Sequence, residues 1–230
     1  MKNLPVQWMS QRTNLLYPYQ TCGTTSLSMF LGWINQIYNK TYESNPDKVF
    51  EILNSTDMLN RANWLIKNGY PYLKSLLFPT RLGKDGKPSV YTYLNDSMQM
   101  LCELGNYITN YEFDFEISYL TSGGIKSEID NNLPVIIDGV FPATKGHYIV
   151  LCSYDDNGNF SADDPYGDYK TNYQTQNGDH VVYSIEDIWK YGAKMLSGNK
   201  MACVTAKYKG GILDHDLTPI VNPNPNPWNA

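Results

Sequence analysis

Covalent chemistry on this chain would fall to cysteine, histidine and aspartate, and their order is informative. There are four cysteines and three histidines, so an imidazole-dependent mechanism has three places to live: His147, His180 and His215. Cys22 is set among Gln20, Thr21, Gly23, Thr24 and Thr25. Cys102, Cys152 and Cys203 sit in apolar runs and read as packed thiols, because free cysteine behaves as a small hydrophobe. None belongs to a Cys-x-x-Cys pair, which argues against a zinc ribbon or a thioredoxin-type motif. A disulfide between two of the four stays open.

Cys22 falls at the first turn of a predicted helix, where unpaired N–H groups and the helix dipole favour a thiolate. Gly23 would let a substrate backbone come close. His147 opens an apolar, β-branched run just after Lys145 and Gly146, and a strand end holds a base rigidly. Asp164, before Pro165, closes the next strand of the same hairpin, so the two residues should finish near each other. A carboxylate there could fix the imidazole's tautomer and orientation. Asp163 faces the other way and is the weaker orienter. An oxyanion needs donors: the Cys22 amide is one, and Gln11, Asn14 or Gln20 could supply a side-chain amide. Gln20 is so close to the thiol that reaching back looks awkward, whereas Gln11 can be looped in. Taken singly, each feature has an ordinary reading: a packing cysteine, a surface histidine, a turn-forming Asp-Pro.

Other constellations carry less. Asp214, His215 and Asp216 are adjacent, so their side chains diverge, and they read as a solvated turn. Asp155, Asn157 and Asn159 suggest half an EF-hand, but Phe160 stands where its glycine belongs. Gly123-Gly124 is too short for a phosphate loop. His180, after Gly178-Asp179, looks secondary. No metal and no organic cofactor is implied.

The positioning elements follow from periodicity. Leu27, Phe30, Leu31, Ile34 and Ile37 recur at three-four spacing and predict a helix over 22–38, with Thr21 as its cap. Asn45-Pro46 opens a second helix to about 53, and a third spans 56–67. Residues 83–88 read as a polar loop. A helix over 90–103, ended by Gly105, follows. Tyr111, Phe113, Phe115 and Ile117 alternate with acidic residues as in a strand. A short helix over 124–131 leads to the strands 134–137 and 147–154. Asp155-Asp156-Asn157-Gly158 is a hairpin turn into a strand over 159–163. A strand at 181–183, a helix from the Ser184/Asp187 capping pair to about 196, and a strand over 201–207 complete the set. Helices first and antiparallel strands second mean an α+β fold.

Composition bounds the rest. With 230 residues the chain can bury a real core in one domain, expected over 1–210, followed by a Pro/Asn-rich tail over 211–230. A net charge of -5 without basic runs argues against nucleic acid. No run reaches the roughly 18–20 apolar residues of a membrane span. No secretory signal is read in residues 1–5, so cytoplasmic synthesis is expected. A monomer is expected.

The stretches SQRTNLLYPYQTCGTTSLSM (10–29) and GHYIVLCSYDDNGNFSADDPYGDY (146–169), with VVYSIEDIW (181–189), resemble the papain-like bacteriocin-leader-peptidase superfamily. The resemblance covers about residues 8–207. It is greatest to single-domain relatives in phage and bacterial cell-wall enzymes. It implies a papain-like fold, with an N-terminal helical lobe and a C-terminal sheet lobe. It also implies Cys22 as nucleophile, His147 as general base, Asp164 as orienter and Gln11 as oxyanion donor. Gln11 stands eleven residues before Cys22, further than the six usual in papain-type enzymes, where Leu16 stands here. The expected activity is amide hydrolysis through a thioester, with peptide or peptidoglycan as substrate, as in an endolysin acting on the wall after release. A general or processing peptidase, an acyl transferase of the same fold and a non-catalytic binding module are the alternatives.

Overall fold

The structure is a computed structural model that describes residues 2–69, 97–192 and 199–209. The expected loop at 83–88, the start of the fourth helix, the end of the sixth, the tail and His215 lie outside the described residues.

Helix α1 (Cys22–Tyr38) carries the candidate nucleophile and ends on Asn39 in the left-handed region. Leu27, Phe30, Leu31 and Ile34 are buried as the apolar stripe requires, but Ile37 is exposed. The first half of α1 is buried nearly all round, polar residues included. Its hydroxyls are satisfied locally or by the sheet: Ser28 Oγ donates to Thr24 O at 2.8 Å, and Ser26 Oγ to Tyr148 O at 3.2 Å. Small side chains therefore let α1 lie close against a strand.

Helix α2 (Pro46–Leu53) has Asn45 as N-cap and proline in its first turn; α3 (Thr56–Lys67) is capped by Ser55. Helix α4 (Met98–Ile108) is capped by Ser97 and runs past Gly105 instead of stopping there. A Cβ on Gly105 would sit 2.6 Å from the Phe115 ring, so this glycine admits a close approach of the next strand. Tyr111 has a positive φ in the turn, which delays the strand to β1 (Phe113–Leu120).

After α5 (Ser122–Asp130) come β2 (Val135–Gly139), β3 (His147–Tyr154), β4 (Phe160–Asp163), β5 (Val181–Tyr183), α6 (Ile185–Tyr191) and β6 (Met201–Tyr208). The six strands among the described residues form one sheet in the order β1-β6-β2-β3-β4-β5, each pair antiparallel. Pairing of β3 with β4 matches Leu151 to Ala162 and Ser153 to Ser161, so Cys152 is the extra residue of a bulge. The fold is mixed helix and antiparallel sheet. All four cysteines are free. No helix among the described residues is long and apolar enough to cross a membrane.

Candidate active site

Packing of α1 on β3 brings the helix start to the strand start, across 125 residues of chain. His147 begins β3 and is buried, 3% exposed. Its Nε2 lies 2.6 Å from Asp164 Oδ1. A carboxylate only accepts, so Nε2 carries the proton. The Cys22 thiol is close enough to help raise the imidazole's pKa, and Nδ1 is the ring nitrogen not engaged by Asp164. Cys22, His147 and Asp164 are thus brought together. Burial pulls the His147 pKa down, but the Asp164 charge and hydrogen bond, with Cys22 adding to them, raise it to about 10.

Asp164 is fully buried and heavily held. Oδ1 also accepts the Tyr166 backbone N–H at 2.8 Å, and Oδ2 accepts the Tyr183 hydroxyl at 2.5 Å. Tyr183 is itself stacked on Tyr169, with ring centroids 4.2 Å apart. Asp164 N donates to Gly178 O at 2.9 Å. A Cβ on Gly178 would fall 1.9 Å from Asp164 O, so only glycine lets these two backbones meet.

The N-terminal segment straps this turn. Trp8 Nε1 donates to Asp164 O at 2.8 Å, Gln11 N to Pro165 O at 2.9 Å and Arg12 Nε to Tyr166 O at 2.8 Å. The Arg12 guanidinium also covers the Tyr166 ring at 3.8 Å. Gln11 is 1% exposed; its Nε2 donates to Pro18 O at 3.0 Å and its Oε1 has no partner. Asn14 Nδ2 donates to both Thr21 Oγ1 and Thr25 Oγ1 at 2.9 Å. Gln20 is exposed.

Aromatic edges enclose the imidazole: Tyr173, Tyr166 and Phe141 have ring centroids 5.8, 6.1 and 6.2 Å from it. Tyr183, Trp8, Arg12 and Tyr173 were not singled out in the sequence. Nor was Asp138 of β2, which accepts backbone hydrogen bonds from Gly139 and His147. Burial pushes its pKa up to about 6, against those bonds. The one sequence signal for this group is the density of tyrosine and glycine after Asp164.

Among solved structures, a crystal structure described as a C39-like peptidase from Bacillus anthracis matches with a TM-score of 0.50 and 15% identity, over 90% of this chain and 98% of that one. At that identity the likeness shows the fold. The search of curated proteins finds no match. The model of the Peptidase_C39-like family matches residues 3–194. That match spans the helix bearing Cys22, the hairpin bearing His147 and Asp164, and the strapping segment, so this chain belongs to the Peptidase_C39-like family, which implies a cysteine peptidase.

Proposed function

We propose that Cys22 is the nucleophile of an amide hydrolase, His147 its acid and base, and Asp164 the positioning residue. The observation that carries this is the buried imidazole bonded to Asp164, with the Cys22 thiol close enough to help raise its pKa. Cys22 Sγ attacks the amide carbonyl while His147 protonates the departing amine, leaving a thioester. Water then attacks the thioester, its proton going to His147 and the thiol leaving. Cys22 comes from the helical part and the other two from the sheet, which suits a cleft between two lobes.

Gln11 is the side-chain oxyanion donor in this proposal, beside the Cys22 amide. One Nε2 hydrogen goes to Pro18 O, and the second is left for substrate. Asn14 spends both amide hydrogens on threonines, and Gln20 points into solvent exposure, which favours Gln11.

For the substrate we propose a peptide crosslink of peptidoglycan, cut by a phage-type lysin that is made in the cytoplasm and acts on the wall. The sequence resemblance over residues 10–29 and 146–169 supports this. The test is incubation with peptidoglycan sacculi and with a general protein substrate, beside Cys22→Ala and His147→Ala. Soluble muropeptides released by the wild type alone support the proposal. Cleavage of protein but not sacculi sinks the wall substrate and keeps the mechanism. Activity surviving in Cys22→Ala sinks the mechanism.

A further inference from the structure

Asp163, the neighbour of Asp164, turns to a different cluster. Cys152, Asp163 and His180 bring a thiol sulfur, a carboxylate oxygen and an imidazole nitrogen within 4.8 Å of one another. His180 Nδ1 is 3.2 Å from Asp163 Oδ1. Asp163 is 0% exposed, and its Oδ2 has no hydrogen-bond partner. A buried carboxylate oxygen left bare is costly and calls for a ligand.

We propose that Cys152, Asp163 and His180 form a binding site for a zinc-class divalent transition metal. The donor set is the first reason. Thiolate with imidazole suits zinc and its neighbours, whereas magnesium and calcium take oxygen. Spacing is the second. Nitrogen and oxygen donors about 2.0–2.2 Å from a tetrahedral zinc stand roughly 3.3–3.5 Å apart, close to the 3.2 Å found. The outer partners are the third. His180 Nε2 lies 3.2 Å from Asn3 Oδ1, an acceptor that keeps a proton on Nε2, so Nδ1, 2.7 Å from Asp179 Oδ1 and 3.2 Å from Asp163 Oδ1, is the nitrogen that gives up its proton to the metal. The His180 side chain is 29% exposed, which gives an entry path and room for a water as fourth ligand.

Charge balances as well. Before binding, Asp163 carries a negative charge and His180 the compensating proton, held also by Asp179 Oδ1 at 2.7 Å. The incoming dication displaces that proton and the Cys152 thiol proton, both of which pass to water. No electron moves, and the cluster's net charge is unchanged.

The test uses full-length Cys22→Ala protein, so that the one partly exposed thiol cannot ligate, Cys102 and Cys203 being buried, with Zn2+ in equilibrium dialysis and Co2+ as the spectroscopic probe. We expect one Zn2+ per chain and a thiolate-to-cobalt charge-transfer band. Cys152→Ser should remove the band, and His180→Gln should weaken Zn2+ binding at least about tenfold. If Cys152→Ser does not fold, His180→Gln, on a partly exposed turn, decides alone. Zn2+ uptake equal in His180→Gln, no uptake at all, or a cobalt spectrum without the thiolate band would each overturn the site.

Discussion

The described residues contain two Cys–His–Asp clusters, and their difference lies in the element that carries the cysteine. Cys22 starts a helix and is partly exposed; Cys152 is the bulged residue of an interior strand and is fully buried. In the first cluster the histidine is the buried member and the thiol meets solvent. In the second the thiol is buried and the histidine meets solvent. Burial pushes the Cys152 thiol up to about 11, the His180 bond opposing it. The two proposals thus rest on one contrast: where sulfur meets solvent a substrate could reach it, and where sulfur is buried only a small ion could.

That contrast can be broken most sharply at the sulfurs. Cys22→Ala should lower the turnover number by on the order of 10⁴-fold or more, since the members of such a unit fail together; residual turnover within tenfold of wild type would dissolve the distinction. At the paired aspartates, Asp164→Asn should cost about 10²–10⁴-fold in kcat, through loss of the imidazole's orienting charge. Asp163→Asn should cost no more than a tenth of that, read in the same assay; equal losses would mean that the clusters act as one.

Titration sharpens it next. The His147 pKa is raised in the folded state to about 10, above the unfolded value of roughly 6.5. Its contribution to stability is thus present below the unfolded value and lost as pH rises through about 10. We expect denaturant midpoints to fall across that window, and Asp164→Asn to flatten the fall; an unchanged profile would remove the ion pair from the account. The alkaline limb of the rate profile should also sit near 10 and move down in Asp164→Asn. The smallest expected effect is Tyr183→Phe. It removes one bond to a charged carboxylate, worth about 1.5–3 kcal/mol, so activity should drop about tenfold with KM little changed.

Most of the framework was legible because periodicity and caps are local. The bounds of α1, α2 and α3, the β3–β4 hairpin and the closeness of its far ends followed from spacing. The opposite facing of Asp163 and Asp164 followed from strand alternation. Gly105 misled because a helix stop and a close packing contact leave the same residue. The straps from Trp8 and Arg12, and the Tyr183 hydroxyl, join residues far apart in the chain with no repeating pattern to announce them. The Cys152 bulge changes the strand's alternation by one residue, so its neighbours could not be read from parity.

The strand order has a consequence for the chain as it is made. Strand β6 is the last described strand to leave the ribosome, yet it is the one that fills the gap between β1 and β2. Until residue 208 has emerged, β1 lacks its only partner among the described residues and β2 has an open edge. Such long-range pairing forms late. A nascent chain made as far as β5 therefore already has the β2-β3-β4-β5 part of the sheet around His147 and Asp164, and what β6 adds is the seam that joins β1 to it.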